Sequence, residues 1–381
     1  KMMPVATPVL QSASRPDMNC PMKSPVLVLL LLAAAVATPA FGADEPDFAA
    51  GVRSTDPLTA AEQLGKFKLP KGFKITLFSE EPEIAKPMNM AFDSRGRLWV
   101  TSSLEYPYAA PADRKAKDTL RVLEDTNGDG RADKVTTFAD GLNIPIGVYP
   151  FNGGASALVW SIPNIWRLDD TDGDGVADKR EVLIGPIGDP VDTHGMQNGF
   201  TRAFDGWVYV CHGFRNDSTV KSRDGTEIHL QSGNTYRFSL DGSRVEQYTW
   251  GQVNPFGMCP DPLGNHYTAD CHSSPIYQLI RGGYYPSFGK PDDGLGFAPL
   301  LMQHAHGSTA LCGVTYYTAD SNWPEEFRDT LFVGNVMTSR VHRDQVIFNG
   351  ASPKAIEKPE FLTSSDPWFR PVDIQMGPDG A

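Results

Sequence analysis

The 381-residue sequence contains no Cys-x-x-Cys-His, no His-Glu-x-x-His and no Gly-x-Ser-x-Gly. These absences exclude covalent c-type haem attachment within this segment, the helical zinc-protease arrangement and the nucleophile elbow of serine hydrolases. Positive charge is also short, with 34 Lys plus Arg against 46 Asp plus Glu and a formal net charge of −12. An acidic body of this kind argues against nucleic acid and anionic lipid as partners. There is a single long apolar run, residues 25–37, too short to span a bilayer comfortably. It follows Lys23 and leads to Ala40, Phe41 and Gly42 before Ala43, so residues 1–42 read as a secretory signal, with an uncleaved anchor as the competing reading. Removing them takes away the cations Lys1, Arg15 and Lys23 and the anion Asp17, which carries the net charge from −12 to −14. The expected location is exported, periplasmic or associated with the cell envelope. Cysteine is sparse as well: Cys20 leaves with the signal, and Cys211, Cys259, Cys271 and Cys312 remain in an oxidising context. Cys259 and Cys271 bracket a predicted hairpin and are the preferred pair, with buried free thiols as the alternative.

What is abundant is turn chemistry: 36 Gly and 31 Pro favour many short strands over long helices. Two acidic loops stand out, Asp125-Thr-Asn127-Gly-Asp129-Gly-Arg131-Ala-Asp133 and Asp170-Thr-Asp172-Gly-Asp174-Gly-Val176-Ala-Asp178. Oxygen-bearing side chains fall at loop positions 1, 3, 5 and 9, a Gly at 6 permits the sharp turn, and Arg131 and Val176 at 7 can offer backbone carbonyls. That is the ligand pattern of Ca²⁺. The flanks read as strands, so both loops are expected to join β-hairpin strands and to use the ion structurally. A plain Asn-Gly or Asp-Gly turn, such as Asp241-Gly242, needs only two special residues.

A longer repeat sets the architecture. An apolar strand, a Gly turn and a second aromatic-rich strand occur at residues 88–100, 200–210 and 256–268, and begin again at 372–376. Weaker copies lie at 146–160 and 313–333. The spacing suits a four-stranded blade with loops, and the fold expected is an all-β, six-bladed β-propeller whose last blade is truncated. The domain reading is a signal over 1–42, a leader with a short Thr59-capped helix over 43–70, and the propeller over 71–381. Residues 72–78 are expected to form the outer strand of the sixth blade, and the sequence to be a fragment of a longer chain.

In a propeller the residues just before the innermost strands converge on one face. Those positions hold Asn143 and Pro145, Asp192 and His194, Asn254, His304, His306 and Ser308, and Arg370. Loops after the second strands add His212, Arg215, Asp270 and His272. Such a ring can bind an anionic cofactor or polar substrate and carry a proton, although each member alone also has a purely structural use.

From Leu64-Gly-Lys-Phe-Lys-Leu-Pro-Lys-Gly-Phe73 through Lys86-Pro-Met-Asn-Met-Ala-Phe92, Gly96-Arg-Leu-Trp-Val100 and both acidic loops, the chain resembles the PVC-type membrane-bound dehydrogenase family. The resemblance covers about residues 60 to 381. It implies a propeller commonly followed by helical repeats and a c-type haem domain, the expected electron partner. The propeller is in turn similar to soluble quinoprotein glucose dehydrogenases, which bind pyrroloquinoline quinone on the top face and use a histidine as base. That likeness implies His194 as the catalytic base and Asn254 as a cofactor-binding candidate, and the ring of loop positions adds Asp270, His306, Arg370 and Arg215 as further cofactor-binding candidates. It implies a sugar or alcohol as substrate. Asn254-Pro-Phe-Gly257 matches the stretch that reads Arg-Asn-Pro-x-Gly in those enzymes, but Val253 stands where the arginine would be. Arg370 and Arg215 are the guanidinium groups available in its stead. A propeller that recognises a glycan or protein without catalysis, braced by calcium, is the alternative.

Overall fold

One backbone turn recurs at Asp93, Ala203, Asp261 and Gly377. In each, the N–H donates to the carbonyl four residues on, at Arg97 (3.1 Å), Trp207 (3.0 Å), Asn265 (2.9 Å) and Ala381 (2.8 Å). The reversal needs a left-handed residue, and Gly96, Gly206, Gly264 and Gly380 supply it with φ of +78°, +84°, +83° and +84°. Acidic side chains then fix the strand that follows. Asp93 accepts from the Trp99 indole, Asp205 from the Tyr209 hydroxyl and Asp261 from the Tyr267 hydroxyl. The repeat is therefore a hairpin whose second strand carries an aromatic donor back to its own turn.

The computed structural model describes residues 55–188, 192–287, 298–307, 310–318 and 323–381, within the unit Arg53–Ala381. The signal segment, Cys20 and Ser308 lie outside the described residues. A short helix α1 (Ala60–Leu64) is capped by Thr59, whose hydroxyl accepts from the Glu62 N–H while the Glu62 carboxylate accepts from the Thr59 N–H. Gly65 ends it, and β1 (Phe67–Lys68) follows. Blade one is β2 (Lys86–Phe92), β3 (Leu98–Ser103), β4 (Asp118–Glu124) and β5 (Lys134–Leu142). Blade two is β6 (Val148–Phe151), β7 (Ser156–Ser161), β8 (Asn164–Asp169) and β9 (Lys179–Ile184). Blade three is β10 (Asn198–Arg202), β11 (Trp207–His212), β14 (Asn234–Ser239) and β15 (Val245–Trp250), with the hairpin β12 (Asp217–Lys221) and β13 (Glu227–Gln231) inserted. Blade four has β16 (Pro255–Pro260), β17 (His266–Asp270) and β18 (Ile276–Leu279). Blade five has β19 (Leu311–Tyr317), β20 (Thr330–Asn335), β21 (Arg340–Asn349) and β22 (Ser352–Ser364), and β1 pairs with its outer edge.

Six apolar clusters fill the six junctions of a closed ring. Trp99 and Phe138 meet Val159 and Leu168 between blades one and two; Trp160 and Ile184 meet Val208 and Tyr236 between two and three. Tyr209 meets Met258 and Tyr277, and Tyr267 meets Tyr316 and Val333. The fifth and sixth clusters use the sixth sector: Phe73, Ile75, Ile374 and Met376 pack on Phe332 and Leu362, and Phe78 packs on Val100 and Leu123. The fold is a six-bladed β-propeller. Residues 72–78 and 372–376 form no ladder among the described residues, but Phe78 takes the outer-strand place. Its carbonyl accepts from Ala132 N–H at 2.8 Å, as the Phe138 carbonyl of β5 accepts from Ala177 N–H at 2.8 Å.

Around the axis the innermost strands nearly touch. A Cβ on Gly199 would lie 3.1 Å from Gly257 Cα, one on Gly257 2.8 Å from Gly313 Cα, and one on Gly313 2.6 Å from Asp373 Cα. Asp373 closes the ring by accepting from Met90 N–H (2.9 Å) and the Asn89 amide (3.2 Å). Burial raises the pKa of this carboxyl.

The cysteines correct the expected disulfide: all four described cysteines are free thiols. Cys259 faces Tyr267, whereas Cys271 follows Asp270, which faces Pro255 at the other end of the hairpin. Four residues of strand, roughly 13 Å, separate those ends, well beyond disulfide reach.

Candidate functional site

At the end of the axis where the innermost strands begin, a cavity of about 460 Å³ is lined by His194, Asn254, Arg370, Tyr106, Trp368 and Lys86, among others. Three of the residues expected at one mouth are therefore brought together from loops entering blades three, four and six. His194 is mostly exposed, and its Nδ1 lies 2.8 Å from Asp192 Oδ1, which also accepts the His194 backbone N–H at 2.9 Å. A carboxylate that accepts the Nδ1 proton leaves Nε2 with its lone pair, the tautomer a base needs. Asp192 is held in turn by Asn216, whose amide donates to the Asp192 carbonyl at 3.1 Å. The Tyr106 ring stands edge-on to the imidazole with centroids 5.4 Å apart. Burial pushes the Tyr106 hydroxyl up to about 12, so the phenol stays protonated at neutral pH.

Asn254 works as a clamp. Its Oδ1 accepts from Phe214 N–H at 2.9 Å, and its amide lies 3.4 Å from Cys271 Sγ. A Cβ at Gly195 or Gly213 would fall 1.9 Å or 2.2 Å from Asn254 Oδ1, so glycine at both places lets the two loops close on this side chain. Asp270 sits beneath. It is fully buried and accepts N–H groups from Val253 (2.8 Å), Asn254 (3.3 Å) and His272 (3.0 Å). Asp270, expected to touch a cofactor, has its oxygens on backbone N–H groups and shapes the turn that presents Asn254. Val253 is buried too and does not line the mouth.

His306 lies away from this mouth. Its Nε2 lies 2.8 Å from Asp344 Oδ2 inside blade five, and it is absent from the mouth lining, as is His304. Arg215 is exposed with φ +60° and does not line the mouth either. His212 is consumed by Ser232 O (2.7 Å) and Ser218 Oγ (2.8 Å). Asn143 accepts from Ala110 N–H, pinning the long blade-one loop that carries Tyr106. The walls made by Tyr106, Trp368 and Lys86 are what residue patterning left out, whereas Asp192 is among the rim positions the pattern singles out, beside His194. The adjacent Gly195 and Gly213 were the available signal, since glycine beside a histidine marks close backbone approach.

The acidic loops join β4 to β5 and β8 to β9. Carboxylate oxygens of Asp170, Asp172 and Asp174 converge within 4.8 Å of one another. Asp125 and Asn127 open the first loop in the same way: Asp125 accepts from Gly128 and Gly130 N–H, and Asn127 from Asp129 N–H. Asp129 and Asp174 accept from the N–H of Arg131 and Val176. The Gly130 N–H is the main reason the Asp125 pKa is lowered. Position 9 departs from the expected ligand set. Asp133 and Asp178 accept from the N–H and hydroxyl of Thr126 and Thr171 and staple each loop shut. The Arg131 side chain turns outward to Glu80 at 2.6 Å.

Among solved structures, the pyranose dehydrogenase PQQ domain from Coprinopsis cinerea in its holo form is similar, with TM-score 0.57 and 13% identity over 83% of this chain and 93% of that one. A calcium structure of Trichoderma reesei carbohydrate-active enzymes family AA12 gives TM-score 0.57 and 14% identity over 86% and 95%. An oxidoreductase described as a glucose dehydrogenase from Thermus thermophilus gives 0.52 and 17% over 78% and 89%. No curated relative matches the sequence. At these identities the likeness carries the fold, a quinoprotein dehydrogenase-like propeller. Residues 59–381 match the family described as Domain of unknown function (DUF7133), and the chain belongs to that family.

Proposed function

We propose that this propeller is the catalytic part of an exported dehydrogenase of the membrane-bound type, oxidising a sugar or alcohol with pyrroloquinoline quinone and passing electrons to a c-type haem domain. The observation that carries the reading is the pairing of His194 with Asp192 at a mouth also lined by Arg370, Lys86, Tyr106 and Trp368. Flat walls and two cations suit a planar polyanion, and the remaining space suits a polyol. The quinone, when bound, supplies a two-electron acceptor for the hydride leaving the substrate carbon. His194 Nε2 takes the hydroxyl proton as the C–H bond breaks, Asp192 steadies the imidazolium that forms, and the product is the carbonyl compound. Arg370 pairs with a cofactor carboxylate, replacing the guanidinium that Val253 removes. The test is equilibrium dialysis of the protein with pyrroloquinoline quinone and Ca²⁺, followed by dye-linked oxidation across a panel of aldoses and alcohols. Stoichiometric binding and turnover are expected. A protein that leaves the quinone entirely in the dialysate cannot be this enzyme.

In the same reading the acidic loops hold structural Ca²⁺. The Asp170, Asp172 and Asp174 oxygens converge as a hard cation requires, and without one their charges repel. Each loop lies against the outer edge of its neighbouring blade through Ala132 and Ala177, so an ion there ties two blades. At Ca²⁺ about 100-fold above its dissociation constant the gain is ~2.7 kcal/mol per site, or a rise in Tm of about 4 °C per site and about 8 °C for both. Asp172→Ala, which sacrifices only one weak 3.3 Å backbone hydrogen bond, is expected to halve that rise in differential scanning fluorimetry. An EGTA-treated sample melting at the calcium-loaded temperature would remove the ion from the account.

A further inference from the structure

We propose that His304, His306 and Asp344 form a site for a divalent transition ion, Zn²⁺ by chemistry, inside blade five. His304 and His306 are two residues apart in the connection ahead of β19, and their rings lie edge-to-face with centroids 5.2 Å apart. His304 Nε2 lies 2.7 Å from Asp344 Oδ1 and His306 Nε2 2.8 Å from Asp344 Oδ2, and ligand atoms of all three side chains fall within 4.8 Å. Asp344 and His306 are buried, while His304 is about one quarter exposed and leaves a way in. Two imidazoles and one carboxylate with a fourth place open is a zinc-type donor set, and the imidazoles disfavour Ca²⁺ and Mg²⁺.

Hydrogen bonding among neutral groups leaves a defect. If each Nε2 donates a proton to Asp344, His306 Nδ1 becomes a bare acceptor, and this buried atom has no hydrogen-bond partner. The group facing it, Glu357 Oε1 at 3.5 Å, is a carboxylate with no proton to give. A metal on Nε2 moves the ring proton to Nδ1, where Glu357 accepts it. That is the carboxylate–histidine–metal arrangement. Glu357 sits directly opposite Asp344 in the β21–β22 register, so the strand pairing itself places ligand and supporting carboxylate together. The His342 ring stacks on His306 with centroids 3.8 Å apart and planes 8° apart. His342 Nε2 faces the Asn335 amide at 3.0 Å and its Nδ1 lies 2.8 Å from Glu360, so both of its ring nitrogens point to groups outside the triad. Asn335 also donates to the His306 carbonyl at 3.4 Å, and the next residue, Val336, lines the mouth. An ion here therefore steadies the wall of the functional cavity from behind.

The experiment uses the whole chain, stripped with EDTA and then kept in a large excess of Ca²⁺ so that the acidic loops do not compete. Isothermal titration with Zn²⁺ is expected to show one tight site, and Co²⁺ is expected to give the visible absorption of a low-coordinate nitrogen–oxygen site. His304→Ala, at the partly exposed ligand, is expected to keep the circular dichroism spectrum and weaken Zn²⁺ binding about 100-fold. His229→Ala, on the exposed β13, is the control and leaves binding unchanged. Absence of a Zn²⁺ site under excess Ca²⁺, or equal affinity in His304→Ala and the parent, overturns the proposal and leaves a protonated His306 between Asp344 and Glu357.

Discussion

His194→Ala is expected to lower kcat by ~10²–10⁴-fold, the usual contribution of a positioned base, while quinone binding is retained. The separation follows from geometry: the imidazole is mostly exposed at the mouth and packs only edge-on to Tyr106, so its removal disturbs little of the fold. Asp192→Asn tests the orienting role. The carboxamide no longer carries the charge that stabilises an imidazolium and can turn its NH2 to Nδ1, fixing the wrong tautomer, so a loss of up to about 10⁴-fold in kcat is expected with KM unchanged. Steady-state kinetics with an artificial electron acceptor, beside dialysis of the quinone, reads both quantities. A His194→Ala variant that turns over at the parental rate would leave the mouth as a binding surface, and glycan binding unaffected by the substitution would then describe the protein better.

Much of this mouth was legible because a propeller converts sequence repetition into radial symmetry. Once residues 88–100, 200–210 and 256–268 are seen as copies, the residues ahead of each innermost strand must share one rim, and His194, Asn254 and Arg370 do. His306 shows where counting fails. The connection from β18 to β19 is long, and a residue ahead of β19 folds back onto β21 instead of facing the axis, because Asp344 offers a buried charge to its ring. Asp270 lies in the expected neighbourhood with its oxygens on N–H groups of its own turn, and nothing in a sequence tells whether a carboxylate spends its oxygens there or on a ligand. Tyr106 carries no local signal, because it reaches the mouth through a loop whose course is set by Asn143 and by the Lys86 ammonium on the Tyr106 carbonyl at 2.6 Å. In the second acidic loop positions 1, 3 and 5 converge, and in both loops position 9 answers to the threonine that follows position 1, a pairing visible only when the loop is closed.

Gly257→Ala is expected to destabilise the propeller by about 3–5 kcal/mol, more than any surface substitution can. Two costs combine. The residue has φ +86°, which an L side chain tolerates at roughly 1–3 kcal/mol, and its new methyl would stand 2.8 Å from Gly313 Cα, where the obstacle is backbone. Gly282→Ala separates them. It has φ +79° but meets nothing within 4 Å, so it carries the conformational cost alone. Urea midpoints of the two variants, compared with the parent, therefore measure how tightly the innermost strands are pressed together. The Gly257 N–H also donates to Asn198 at 3.0 Å, and Asn254 lies three residues upstream, so pushing this strand outward moves the clamp that closes Gly195 and Gly213 around the mouth. Surviving Gly257→Ala protein is accordingly expected to bind its cofactor less tightly, whereas Gly282→Ala binds as the parent does. Equal midpoints for the two variants would mean that the strands around the axis have room to yield, and the mouth would then owe its shape to the loops alone.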